Sequence, residues 1–163
     1  MNRSGSNRVD KRWSGSSSEP DRVSRQSWLS LALVSSATFI IILDLMAANV
    51  AFPFIEDEFI DTPRSTLAWA LSGNAIAAAA LLLVAGRLGD RLGRRRIFLT
   101  GLAIFTAVSA ITASAPTAGV LIAARVGQGA GAAMVTSTAI ALLLPLFPAS
   151  KQGLAVGIWG TTA

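Results

Sequence analysis

Long apolar segments constrain this 163-residue chain more than any other feature of its sequence. They cover about residues 28–54, 66–85, 97–115 and 118–146, and a shorter one occupies 152–163. A helix needs about 20 apolar residues to cross a bilayer, so the first four segments are long enough and the last is too short. The pattern predicts an all-α membrane protein with four spans and the incomplete start of a fifth. We expect it to be the N-terminal portion of a longer protein, because a chain ending in mid-membrane would leave backbone groups without partners.

The composition agrees with a membrane bundle and excludes several kinds of site. Hydrophobic residues make up 52% of the chain and charged residues 14%, which is more apolar surface than a soluble domain of this size needs. The chain has no Cys, His or Tyr, which excludes disulfides, thiol chemistry, histidine proton relays and nearly all zinc sites. We therefore expect no catalytic residue, no metal site, no cofactor and no enzymatic activity.

Charge alternates in sign from one polar segment to the next. Residues 1–27 carry six basic and three acidic residues, 56–64 carry four acidic residues and one arginine, and 87–96 carry five arginines and one aspartate. Under the positive-inside rule the basic segments are cytoplasmic and the acidic segment is outside. This predicts a multi-pass cell-membrane protein with a cytoplasmic N-terminus, a disordered tail over 1–27. Because the basic charge is divided between segments, nucleic acid is not an expected partner.

Two ionisable residues lie inside the predicted spans, Asp44 in the first and Arg125 in the fourth. Burying either charge is costly, so each is expected to face a cavity or a partner. Counted from the outer ends of their spans, Asp44 lies roughly 13 Å deep and Arg125 roughly 10 Å deep, which makes them a candidate pair. At about 4 Å and an effective dielectric constant near 20, their attraction is on the order of 4 kcal/mol. The alternatives are a static ion pair that only fixes helix register, or two charges that face separate groups.

Three polar residues in the spans are candidate cavity or helix–helix contacts. Gln128 lies one turn from Arg125 and either shares its polar surface or links two helices. Asn74 is expected to form a helix–helix hydrogen bond rather than to contact substrate. Asn49 lies five residues after Asp44 in the first span.

The basic segment 86–96 is predicted to be a short loop between the second and third spans. Its sequence, GRLGDRLGRRR, resembles the loop between helices 2 and 3 of the major facilitator superfamily, G-x-L-x-D-R-x-G-R-R/K-x. The resemblance implies that the Asp90 carboxylate contacts the positive end of a helix in the other half of the protein in one transport state. On composition alone, the arginines are topology anchors and lipid-headgroup contacts. The residues assigned to this conformational-switch loop are Gly86, Asp90, Arg91, Gly93, Arg94 and Arg95.

Two further segments resemble the proton-coupled members of that superfamily. Residues 43–53, LDLMAANVAFP, are similar to the first-helix signature of the fourteen-helix drug:proton antiporters, L-D-x-T-V-V-N-V-A-L-P. Residues 121–133, LIAARVGQGAGAA, resemble the fourth-helix signature L-x-x-x-R-x-x-Q-G-x-G-A-A, whose arginine is implicated in proton transfer and is here Arg125. Within it, Gly127 and Gly131 form a small-xxx-small face. Together with Gly129, they favour close helix packing over contact with substrate.

These resemblances imply a proton-coupled secondary transporter that works by alternating access around a midplane site. The implied activity is export of drug-like hydrophobic or cationic compounds, with Asp44 and Arg125 coupling it to the proton gradient. The expected partners are a small-molecule substrate, the lipid bilayer and the remaining helices of the full-length transporter. The alternatives are a self-contained four-helix structural or interaction membrane protein, and a superfamily importer of another small solute.

Overall fold

The computed structural model describes residues 23–162, so most of the predicted tail 1–27 lies outside the described residues. Within this range the chain forms six α-helices and one short 3₁₀ helix, Leu144–Leu146. The α-helices are α1 (Arg25–Glu58), α2 (Arg64–Leu67), α3 (Trp69–Leu92), α4 (Arg94–Ala113), α5 (Ala118–Leu143) and α6 (Ala149–Thr162).

Local sequence signals set several of the helix ends. The side chains of Ser24 and Thr117 accept hydrogen bonds from the backbone N–H groups of Ser27 and Val120, which caps the N-termini of α1 and α5. α3 and α4 are separated by Gly93, whose φ of +99° is a conformation that glycine adopts without strain. Pro145 ends the regular hydrogen bonding of α5 because it has no backbone N–H to donate.

α5 lies at the centre of the bundle. It packs against α3 and α4 along most of its length and against α1 on another side, and α6 packs against α1. The core that these helices share is built from apolar residues of α1, α4, α5, the segment after α5, and α6. Its members are Leu31, Val34, Ala37, Phe98, Val135, Ala139, Leu143, Phe147 and Ala155.

Many large apolar side chains of the described residues point away from this core. Leu33, Val50 and Leu83, for example, are each more than two-thirds exposed. Between residues 23 and 162, four helical stretches are long and apolar enough to cross a membrane: Arg25–Glu58, Arg64–Leu92, Arg94–Ala113 and Ala118–Leu146. A bundle that is apolar on its outside as well as in its core belongs in lipid. The prediction of an all-α membrane protein is therefore confirmed.

The segment 86–96 is not the loop that the sequence predicted. α3 continues to Leu92 and α4 begins at Arg94, so Gly93 is the only non-helical residue between them. Arginine and leucine are good helix formers, and they continue both helices beyond the apolar spans. Gly89 serves helix packing rather than a turn, because a Cβ there would lie 2.9 Å from the Thr138 side chain.

The first helix also extends further than its apolar run indicated. α1 begins at Arg25 rather than at Trp28, and it passes through Pro53 to end at Glu58. Pro53 removes a single backbone donor, and regular bonding has resumed by the C-cap, where the Phe59 N–H donates to the Ile55 carbonyl. Part of the acidic segment predicted as an outer loop is therefore the last turn of α1.

Candidate proton-coupling site

Asp44 of α1 and Arg125 of α5 form an ion pair inside the bundle. Nη1 of Arg125 donates to Oδ2 of Asp44 over 2.8 Å. The Arg125 side chain is 4% exposed, whereas that of Asp44 is 28% exposed. The guanidinium is thus enclosed by protein, and the carboxylate is the member of the pair that can be reached from a cavity.

Gln128 ties this pair to the neighbouring helix. It lies one turn after Arg125 and is fully buried. Its Oε1 accepts from Nη1 of Arg125 (3.0 Å) and from the hydroxyl of Thr112 (3.3 Å). Its Nε2 donates to Oδ1 of Asp44 (3.3 Å) and to the hydroxyl of Ser109 (2.7 Å). The amide therefore uses both donors and both acceptor positions, which is the condition for burying such a group at low cost.

Ser109 and Thr112 of α4 were not among the residues that the sequence singled out. They lie three residues apart in α4, so their hydroxyls share one face. That spacing was a readable signal for a polar contact. The partner of that contact, Gln128, could not be predicted, because it depends on which face of α5 packs against α4.

One donor group of the site has no acceptor among the residues that the structure describes. Nη2 of Arg125 is buried and makes no hydrogen bond within the described residues. A buried charged donor without a partner is costly, commonly by about 1–3 kcal/mol or more.

Two cavities meet at Asp44. The first, here called the alanine cavity, has a volume of about 260 Å³. The second, here called the arginine crevice, has a volume of about 180 Å³. Asp44 is the one residue that lines both. The alanine cavity is lined by Ile41, Asp44, Leu45, Asn74, Ala75, Ala78, Ala79, Leu82, Phe105, Ala132, Ala133 and Thr136. The arginine crevice is lined by Asp44, Ala47, Ala48, Ala51, Ile55, Ala70, Leu71, Thr112, Leu121 and Arg125.

The two cavities lie towards opposite ends of the bundle. On α3, α4 and α5, the crevice is lined by residues nearer the end that carries α2, which we call the α2 end. On the same three helices, the alanine cavity is lined by residues nearer the end that carries Gly93, which we call the Gly93 end. Asp44 thus stands between two spaces of different chemistry.

The two asparagines predicted for the site differ in their surroundings. Asn74 is buried and lines the alanine cavity, and its backbone carbonyl lies directly against Gly129 of α5. Asn49 is exposed, lines neither cavity, and donates to the Leu45 carbonyl of its own helix over 2.7 Å. The structure therefore does not bring Asn49 to the site, because it lies on a different face of α1 from Asp44.

The glycines of α5 lie where neighbouring helices come closest. A Cβ at Gly131 would lie 2.8 Å from the Gly101 carbonyl oxygen of α4, and one at Gly127 would lie 3.3 Å from the Val108 side chain of α4. Gly129 faces α3 instead, at Asn74. The ion pair and Gln128 are thus held where α5 is packed closely on two sides.

At the Gly93 end, Arg94 connects α3, α4 and α5. Its Nε and Nη2 donate to Oδ1 of Asp90 over 3.2 and 3.0 Å, and its Nη1 donates to the Ala141 carbonyl over 3.0 Å. In a regular helix that carbonyl would accept from residue 145, which is a proline. Arg94 therefore supplies the hydrogen bond that Pro145 cannot.

The other residues of the predicted switch loop have simpler surroundings. Arg91 and Arg95 are exposed. Gly86 lies in α3, and a Cβ there would lie 4.0 Å from that of Ser137. The helix of the other half that Asp90 was expected to contact is not among the described residues, so that role stays a prediction.

Membrane-length helices around a buried ion pair, with two cavities that meet at its carboxylate, define a polytopic membrane protein with a polar site in its interior. The chain belongs to the Major Facilitator Superfamily, whose family model matches residues 34–163.

Similar proteins agree with that assignment. The chain is 39% identical over 139 residues to an uncharacterized MFS-type transporter of Mycobacterium tuberculosis, an alignment that covers 85% of this chain and 24% of the relative. It is 41% identical over 132 residues to the cephamycin export protein CmcT of Amycolatopsis lactamdurans, covering 80% of this chain and 27% of the relative. It is 36% identical over 141 residues to the multidrug efflux pump LfrA of Mycolicibacterium smegmatis, covering 86% and 28%. The chain spans about a quarter of the length of these relatives.

Proposed function

We propose that this chain belongs to a proton-coupled secondary transporter that exports hydrophobic or cationic compounds by alternating access. The observation that carries the proposal is the Asp44–Arg125 ion pair, held at the junction of two cavities. Relatives named as an export protein and a multidrug efflux pump support the direction of transport. Membership of a transporter family favours this function over a self-contained structural membrane protein.

Protonation of Asp44 would change the hydrogen bonding of the whole site. As a carboxylate, Asp44 accepts from Arg125 on one oxygen and from Gln128 on the other. A proton removes the negative charge and turns one oxygen into a donor, which weakens an attraction on the order of 4 kcal/mol. Arg125 then keeps its bond to Gln128 but loses the compensating charge. Conformations that expose Arg125 to water or to another anion gain stability relative to the paired one.

Losing an attraction on the order of 4 kcal/mol between Asp44 and Arg125 is sufficient to drive a conformational change. Every 1.4 kcal/mol is about a tenfold change in an equilibrium constant, so the full effect would shift two populations by about a thousandfold. The proton acts only to the extent that the two states bind it with different affinity. In this site, the two states would differ in proton affinity because Arg125 faces Asp44 in one of them and not in the other.

The alanine cavity is suited to the proposed substrates. Apolar side chains form most of its wall, five of them alanines, and Asp44 is the one charged residue in its lining. A lipophilic cation would place its apolar body against the alanines and its charge near the carboxylate. Proton and substrate would then compete for Asp44, which is the simplest basis for exchange. The proposed orientation has the Gly93 end in the cytoplasm, because the arginines cluster there.

The test uses the protein expressed from its full gene, in inside-out vesicles that carry a proton gradient. Addition of ethidium, a lipophilic cation, is expected to dissipate the gradient with the wild-type protein. Asp44→Asn and Arg125→Ala are expected to abolish this coupling. Asp61→Asn, which neutralises an exposed carboxylate outside the site, is the matched control and is expected to retain it. Undiminished coupled transport in both site variants would refute the proposal, and proton-driven movement in the opposite direction would indicate an importer.

A further inference from the structure

Asn74 is a buried polar residue that lines the alanine cavity without a hydrogen-bond partner for its side chain. It is 8% exposed and forms part of the cavity wall. The sequence predicted a helix–helix hydrogen bond, but the side-chain amide bonds to no other residue that the structure describes. Unlike Nη2 of Arg125, the amide is not sealed off by protein, so its unpartnered atoms border open space.

Other polar side chains of the spans satisfy themselves on their own helix. Asn49, Thr38 and Thr106 each donate to the backbone carbonyl four residues earlier. Such a bond is a common way to satisfy a short polar side chain in a membrane helix. Asn74 makes no equivalent bond to the Ala70 carbonyl. Its amide therefore keeps an acceptor oxygen and both N–H donors available to a ligand.

Asn74 lies at a depth similar to that of Asp44, on a different helix. Gln128 of α5 donates to the Asp44 carboxylate, and the next residue, Gly129, lies against the Asn74 backbone carbonyl. Adjacent residues of a helix differ by only about 1.5 Å along its axis. Thr136, the other neutral polar residue of the wall, lies about 10 Å further along α5 towards the Gly93 end. One charged group and one neutral hydrogen-bonding group thus meet a ligand at the same level of the cavity.

This combination distinguishes between two kinds of organic cation. A cation that carries an amino, hydroxyl or carbonyl group near its charge can approach Asp44 and bond that group to Asn74. A cation surrounded only by apolar groups displaces water from the amide and leaves it without a partner, which is unfavourable. Sites built to hydrogen-bond one ligand group reject analogues that lack it.

We infer that Asn74 determines specificity in the alanine cavity, by favouring organic cations with a hydrogen-bonding group close to their charge over cations that are apolar throughout. Asp44 attracts both kinds of cation, and Asn74 separates them. The inference rests on the proposed function for the use of this cavity by substrate. It does not depend on proton coupling.

The test compares the binding of two lipophilic cations to the purified protein expressed from its full gene. Ethidium carries aromatic amino groups that donate hydrogen bonds, whereas tetraphenylphosphonium has neither donors nor acceptors. Equilibrium dialysis in mild detergent, at one pH and without a proton gradient, gives a dissociation constant for each. Asn74→Leu and Asn74→Ala remove the amide. Asn49→Leu is the matched control, because Asn49 lines neither cavity and bonds to its own helix.

Both Asn74 variants are expected to bind ethidium about five- to tenfold more weakly, the effect of about one neutral hydrogen bond. Their binding of tetraphenylphosphonium is expected to be unchanged or tighter, which also shows that the cavity is intact. Asn49→Leu is expected to bind both cations as the wild type does. Two substitutions are used so that misfolding of one leaves the other to decide.

The ratio of the two dissociation constants decides the outcome. A ratio that stays at the wild-type value in the Asn74 variants would overturn the inference. Loss of tetraphenylphosphonium binding in both variants would overturn it too, because Asn74 would then maintain the cavity rather than select between cations. A wild-type protein that binds neither cation would also overturn it.

The binding result and the transport result separate this inference from the proposed function. Selectivity that depends on Asn74, together with undiminished coupled transport by Asp44→Asn and Arg125→Ala, would keep the inference and remove proton coupling. Unchanged selectivity in the Asn74 variants, together with loss of coupling in Asp44→Asn, would keep the proposed function and remove the role assigned to Asn74.

Discussion

Replacing Gly131 with alanine is expected to destabilise the bundle, because α4 and α5 cross there with almost no space between their backbones. A Cβ at 131 would lie 2.8 Å from the Gly101 carbonyl oxygen and 2.9 Å from the Phe105 backbone nitrogen. Both atoms belong to the α4 backbone, so they can move only if the helix moves. Overpacking of this kind costs about 1–3 kcal/mol, and the better helix propensity of alanine returns about 1 kcal/mol. The net loss is expected to be up to about 2 kcal/mol.

Two other glycines provide matched controls, one in α3 and one in α5 itself. A Cβ at Gly86 would meet only the Ser137 Cβ, at 4.0 Å. Gly86→Ala should therefore be neutral or stabilising by up to about 1 kcal/mol. A Cβ at Gly127 would meet the Val108 side chain at 3.3 Å, and a side chain can yield where a backbone cannot. Gly127→Ala should therefore fall between the other two variants.

The assay is equilibrium unfolding in mixed micelles of a mild detergent and dodecyl sulfate, followed by tryptophan fluorescence. Circular dichroism before unfolding shows whether each variant starts with the same helix content. Gly131→Ala is expected to be less stable than Gly86→Ala by about 1–3 kcal/mol in unfolding free energy, because only the substitution at 131 overpacks the α4 backbone. Equal stability of these two variants would show that the close approach of α4 and α5 is not required.

Two further predictions concern contacts between helices. Arg94→Met should destabilise the bundle by about 1 kcal/mol because it removes the donor to the Ala141 carbonyl. In a Pro145→Ala background, Arg94→Met should cost less stability, because the backbone N–H at position 145 can then donate to the Ala141 carbonyl in place of Arg94. If the losses in this double-mutant cycle are additive, Arg94 does not substitute for the hydrogen bond that Pro145 cannot make. Trp159→Phe removes the indole donor to the buried Thr38 hydroxyl, 3.1 Å away, and should also cost about 1 kcal/mol. An unchanged unfolding curve for Trp159→Phe would show that this bond does not hold α6 against α1.

Some of the site could be predicted because its signals are local or follow from the fixed rise of a helix. Counting residues from the span ends put Asp44 and Arg125 at similar depth, and the structure places their charged atoms 2.8 Å apart. The spacing of Arg125 and Gln128 likewise allowed a shared polar surface, and the two are hydrogen-bonded. Asn49 shows the limit of such counting, because the position of a residue along a span says nothing about which way its side chain points.

The sequence by itself determined the class of the protein. Membrane-length apolar segments, the sign of the charge between them and three family-like signatures specify an all-α bundle of this superfamily, because hydropathy and motif spacing are properties of the chain alone. Tertiary packing decided the rest. It continued the helices through Pro53 and through residues 86–92, joined Gln128 to Ser109 and Thr112, and left two cavities on either side of Asp44. These features depend on how closely the helices pack and on which of their faces are in contact. The sequence pattern of one helix does not specify where the neighbouring helix lies.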